Sequence, residues 1–140
     1  MTKFSKVLHT ARTRTTGGRE RGISRSSDGY LDVRLATAGS DRIGTNPEHL
    51  FAAAWSACFE TGVVLAAERR KISLPANITI DAEVDLNSGP TGHFLSARLY
   101  VALPGVDRVI AQSLIEEAHI TCPYSKATRG NLEVEIRLIE

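Results

Sequence analysis

Two residues in this 140-residue chain carry thiols, Cys58 in "FAAAWSACFE" (51–60) and Cys122 in "ITCPYS" (120–125). A thiolate can act as a nucleophile, a metal ligand or a redox centre. Cys58 lies in a run so apolar that it reads as readily as a small buried hydrophobe. Cys122 falls just before Pro123 in what reads as a loop, beside His119 and Tyr124, and loops carry function more often than helices do. An idle, partly exposed thiol is the plain alternative there. His119-x-x-Cys122 has a spacing that could serve a metal. A structural zinc, however, needs four ligands, usually with paired cysteines at short spacing. The chain has no second cluster, so neither a metal nor a cofactor is expected. No G-x-S-x-G occurs, which removes the usual signature of a serine hydrolase. Nothing local supports a cysteine hydrolase that pairs Cys58 with a histidine.

A thiol peroxidase would need a thiolate, a cation to lower that thiol's pKa, a dry pocket and a second thiol to resolve the sulfenic acid. A free cysteine has a pKa of about 8.5, so only a few per cent is thiolate at pH 7. Cys58 lies eleven residues into its predicted helix, roughly 16 Å along the axis. The helix dipole fades within the first turn and cannot activate it. An arginine must do so, and the glycine-flexed turn "TGGRERG" offers Arg19 and Arg21. An arginine in a dry pocket needs its own partner, since an unpaired buried charge is costly. Glu48 is the candidate, although it could equally be a first-turn acid or the far end of a capping box with Thr45. Glu48 and Cys58 are ten residues apart on one helix, about 15 Å axially and on different faces. If both serve one site, Glu48 would arrive from the antiparallel helix of a second copy.

The elements that must position these groups follow from periodicity. Residues 4–13 are β-compatible with modest alternation, and "TTGG" then turns the chain. "YLDVRLA" (30–36) alternates well, and "SSDG" before it is a hairpin signal that pairs it with roughly 20–26. "GTNPEHLF" opens a long helix, with Asn46 or Thr45 as cap, Pro47 in the first turn and Glu48 at the positive end. It should run to about Lys71, before Pro75, and its middle is apolar almost all round, which predicts a central position. "NITIDAEVDLN" (77–87) and residues 93–103 alternate about the turn "SGPTG" as a long antiparallel hairpin. "PGVDRVIAQSLIEEAH" has helical spacing and ends near Cys122, where Pro123 stops it. "LEVEIRL" (132–138) is a last strand. The order βββαββαβ predicts an α+β fold with antiparallel sheet around a long central helix, as one domain over 1–140. Six strands can hardly cover a helix that is apolar on all sides, so a homodimer is expected to supply the missing cover.

Composition excludes several classes. Lys and Arg number 17 against 16 acidic residues, a net charge of +1, which argues against nucleic-acid binding. Arg12, Arg14, Arg19, Arg21 and Arg25 read as a solvated hairpin stretch. The N-terminus lacks a signal-peptide pattern. Leu50–Ala67 is interrupted by Glu60 and rich in alanine, so no membrane span is expected. The cytoplasm is the expected compartment, where disulfides are transient or catalytic.

"TTGGR" (15–19), "GTNPEHLFAAAWSACF" (44–59) and "CPYSKATRGN" (122–131) stand in order at suitable separations. With them, the chain resembles the OsmC/Ohr superfamily, and specifically its organic hydroperoxide resistance (Ohr) branch. The resemblance implies a cysteine-based peroxidase for organic hydroperoxides in an intertwined homodimer with interfacial sites. Cys58 matches the peroxidatic cysteine, Cys122 the resolving cysteine, Arg19 the activating arginine and Glu48 the acid that orients it. It also implies recycling by dihydrolipoamide or a lipoylated protein. His49 stands where glutamine is common, and Ala54-Trp55 where Gly-Tyr is common. Phe51, Trp55 and Phe59 are candidates for favouring bulky apolar peroxides, and some of the three are expected to be plain core. The alternative is a non-catalytic member of the superfamily, either a small-ligand binder or a redox-responsive protein.

Overall fold

The computed structural model describes residues 5–140, so Phe4, the start of the expected first strand, lies outside the described residues. The chain forms two compact units, one ending at Pro47 and one running Glu48–Glu140.

The N-terminal unit is an antiparallel sheet of three short strands, β1 (Thr13–Thr16), β2 (Ile23–Ser26) and β3 (Asp32–Arg34). The first strand therefore begins nine residues later than its β-compatible stretch, and residues 5–12 are exposed and irregular. Only at its end, where Ser27 N–H donates to the Arg12 carbonyl at 2.9 Å, does this stretch meet the ladder that β1 continues. β1 and β2 are joined by a single helical turn, α1 (Gly18–Arg21). Gly17 and Gly18 have φ of 79° and 70°, the left-handed region that glycine enters without strain. Gly22 is needed for a different reason. A Cβ there would lie 2.1 Å from the Gly18 carbonyl oxygen and 2.6 Å from that of Thr16. Arg42 closes the turn from outside, with Nε donating to the Leu35 carbonyl at 2.9 Å and Nη2 to that of Arg21 at 3.1 Å.

The β2–β3 hairpin turns at Ser26–Gly29, as its sequence predicts. Ser26 N–H donates to the Leu31 carbonyl at 2.8 Å, and Asp28 accepts from the Ser26 hydroxyl at 2.5 Å and the Tyr30 N–H at 3.0 Å. These bonds, the hydroxyl's first, hold the Asp28 carboxyl below the usual carboxylate range.

The C-terminal unit opens with the long helix α2 (Pro47–Arg69). It is followed by the hairpin β4 (Thr79–Gly89) and β5 (Gly92–Ala102), by α3 (Arg108–Thr121), by α4 (Pro123–Thr128) and by β6 (Glu133–Ile139). β4 and β5 pair antiparallel from Thr79–Ala102 to Gly89–Gly92. β6 pairs with β5 in parallel, from Ser96–Glu133 to Ala102–Ile139, which departs from the all-antiparallel expectation. The reason is the connection. Two helices lie between β5 and β6, and such a crossover returns the chain to the same end of the sheet. Asp107 caps α3, its carboxylate accepting from Val109 and Ile110 N–H at 3.1 and 3.2 Å.

The alternation in β5 decides which face is buried. Ala97, Leu99 and Val101 join Trp55, Phe59, Val63 and Ala66 of α2 and Ala111, Leu114, Ile115 and Ala118 of α3 in one core. Fully burying a side chain the size of Phe59 stabilises by about 1.5–3 kcal/mol. By length and composition α2 could cross a membrane. Its Trp55, Phe59, Val63 and Ala66 are instead fully buried against protein. The helix is not covered all round within this chain, because His49, Ala53, Ala57, Thr61 and Leu65 form an exposed stripe at four-residue spacing.

The outer face of the β4–β5 hairpin is charged. Arg98 spans Asp85 with two bonds of 2.6 and 2.7 Å and reaches Glu83 at 2.8 Å. The two Arg98 bonds to Asp85, with one from Ser96, lower its carboxyl to about 2.

Candidate active site

Cys58 is half-buried on α2, and Cys122 is buried at the junction of α3 and α4. The sequence places Cys122 in a loop, whereas it caps two helices. Its N–H donates to the Ala118 carbonyl at 2.8 Å, and its carbonyl accepts from Lys126 N–H at 2.9 Å. Pro123 does end α3, and it also starts α4 as the N-terminal residue, where its missing N–H costs nothing.

The fold brings the two thiols together. Cys58 and Cys122 are free thiols close enough for Cys122 to influence the titration of Cys58. Burial raises the Cys58 pKa first, the neighbouring Cys122 charge and hydrogen bond raise it further, and the Tyr124 backbone N–H opposes them weakly. The residues around Cys58 in its own unit therefore favour the neutral thiol.

Trp55 and Phe59 are both fully buried in the core, so of the three apolar candidates these two are core residues within this chain. Trp55 donates its indole N–H to the buried Ser125 hydroxyl at 3.2 Å. Half-buried Phe51 stands edge-on to Trp55, with ring centroids 5.7 Å apart. Sequence reasoning passed over Ser125. The signal was available, because a buried tryptophan needs a partner for its N–H. Tyr124 contributes its backbone N–H, while its ring is exposed. His119 is partly buried, and burial and then Arg129 lower its pKa, which favours the neutral imidazole. Arg129 has a structural part. Its Nη2 donates to the His119 carbonyl at 2.5 Å and its N–H to the Ser125 carbonyl at 3.0 Å, which ties off α3 and α4.

Glu48 stands in the first turn of α2, the same helix as Cys58. Arg19 and Arg21 belong to α1 of the N-terminal unit. The turn that presents them is held by Arg42, which sequence reasoning also passed over. Among the described residues no three His, Cys, Asp or Glu side chains gather as a metal set.

The family model described as OsmC-like protein matches residues 38–137. The chain belongs to the OsmC/Ohr superfamily. It is 44% identical over 144 residues to the organic hydroperoxide resistance protein of Xanthomonas axonopodis pv. citri (strain 306), covering 99% of each chain. It is 36% identical over 142 residues to OhrA of Bacillus subtilis (strain 168), covering 98% of this chain and all of that one. The crystal structure of OhrB of Bacillus subtilis superposes with a TM-score of 0.89 at 37% identity, covering 95% of this chain and 100% of the other. An organic hydroperoxide resistance protein from Legionella pneumophila superposes with a TM-score of 0.90 at 37% identity, covering 96% and 100%. The α+β fold with its long core helix is thus that of Ohr proteins.

Proposed function

We propose that this protein is a cysteine-based peroxidase that reduces organic hydroperoxides to alcohols in the cytoplasm; its relatives are named for organic hydroperoxide resistance. The observation that carries the reading is the nearness of Cys58 and Cys122, two free thiols far apart in sequence of which one influences the titration of the other.

Arg19, braced by Glu48, favours the Cys58 thiolate that burial disfavours. The thiolate attacks the distal oxygen of ROOH, the O–O bond breaks and ROH leaves after taking a proton. Arg19 also steadies the negative charge developing on the leaving oxygen. Cys58 is then a sulfenic acid. Cys122 sulfur attacks Cys58 sulfur, the S–O bond breaks and water leaves, giving a disulfide. A dithiol of the dihydrolipoyl class restores both thiols by exchange and becomes a disulfide itself. The working unit is a homodimer, because Glu48 and Cys58 lie about 15 Å apart along one helix and a partner's helix can bring the acid to the site.

Mixing reduced protein with excess cumene hydroperoxide and dihydrolipoamide tests this. Peroxide should be consumed over many turnovers, and Cys58→Ser should abolish consumption. Turnover that survives in Cys58→Ser would sink the proposal. Single-equivalent binding without consumption would favour a non-catalytic ligand binder.

A further inference from the structure

Two pairs of residues join α2 to α4. Trp55 precedes Cys58 by three positions and Ser125 follows Cys122 by three, so each pair shares a helix face. The thiols stand near one another, and the indole N–H on the Ser125 hydroxyl ties the helices directly, with Trp55 and Ser125 both fully buried. Tyr124, the residue before Ser125, points its backbone N–H at Cys58.

α4 has six residues, too few to hold itself as a helix in water. It depends on tertiary anchors. Trp55 is a rigid one, packed edge-on by Phe51 and sealed in the core. In the proposed cycle Cys122 must attack Cys58 sulfur along the S–O bond of the sulfenic acid. That step is intramolecular, and its rate depends on how closely α4 is held in register with α2.

We propose that Trp55 is a positioning residue for disulfide formation, its bond to Ser125 pinning α4 so that Cys122 stays in line with Cys58. This rests on the peroxidase reading above. Trp55 does not touch the peroxide and has no part in the first step.

A single-turnover experiment separates the two. Reduced protein receives one equivalent of cumene hydroperoxide and is quenched at intervals with dimedone. Intact mass then counts thiol, trapped sulfenic acid and disulfide. Trp55→Phe, Ser125→Ala and the double variant should form sulfenic acid within about threefold of the wild-type rate. Disulfide formation should slow by about tenfold or more in each. If both singles act through one bond, the double variant should be no slower than either. It also leaves no buried donor without an acceptor, so it is the variant best placed to fold. Trp55 is the chain's one tryptophan, so its emission reports the bond directly. Ser125→Ala should shift the emission of the reduced protein.

Wild-type disulfide formation in the double variant would overturn the inference. So would losses in the two singles that multiply in the double, or unchanged emission in Ser125→Ala. If wild-type Cys58 is not oxidised at all, the peroxidase reading itself fails.

Discussion

The surroundings of Cys58 in its own unit disfavour its thiolate. Burial and the adjacent Cys122 both push its thiol up, and one backbone N–H from Tyr124 opposes them. Each pKa unit of recovery requires about 1.4 kcal/mol of preferential interaction with the thiolate. A guanidinium is the group in the proposed site that can supply it, which is the reason Arg19 is assigned to activation. The sign follows directly. Removing a cation that favours the thiolate raises the pKa, so in Arg19→Ala the curve of Cys58 alkylation against pH should move to higher pH. Iodoacetamide labelling followed by mass would record it, and an unmoved curve would remove Arg19 from this role. At this scale the sequence displays the reactive types and the distance between them in the chain, but not their nearness in space. Cys122 reads as a loop thiol because Pro123 ends one helix, and a proline that also begins the next looks the same in one dimension. Ser125 was passed over because a serine becomes informative only once its burial beside an indole is known.

The secondary elements were legible where periodicity was strong. The β4–β5 hairpin and β6 follow their alternation to within two residues at each end, and α2 ends two residues short of Lys71. The first strand was misplaced, since its β-compatible stretch meets the ladder only at its end. The parallel pairing of β6 was not legible, because direction is set by the path through α3 and α4 rather than by any pattern in "LEVEIRL". The same hairpin carries a pH signature. Asp85 is lowered to about 2 by Arg98 and Ser96, against an ordinary carboxylate near 4. A depressed carboxyl stabilises the fold above the unfolded pKa and loses that contribution as pH falls through the folded one. Stability should therefore decline between about pH 4 and pH 2. The decline should be shallower in Asp85→Asn, measured by urea unfolding at each pH; identical acid branches would contradict the assignment.

For the whole molecule, α2 is the feature that needs explaining. Its sequence is apolar almost all round, yet within one chain only the face bearing Trp55, Phe59, Val63 and Ala66 is fully buried. The opposite stripe, from Ala53 through Ala57 to Leu65, is open to solvent. Small residues at four-residue spacing allow two helices to approach closely. This agrees with the homodimer proposed from the distance between Glu48 and Cys58. Sedimentation at micromolar concentration should give a dimer, and Leu65→Glu should weaken it; a wild-type monomer would count against an interfacial site. The central claim is narrower than the assembly and can be tested without it. Reduced protein should be given one equivalent of an organic hydroperoxide, and its intact mass measured before and after proteolysis. The account predicts the loss of two hydrogens and a peptide pair linked through Cys58 and Cys122. A mass gained as stable oxygen on Cys58 with Cys122 still free, or no change at all, would contradict it.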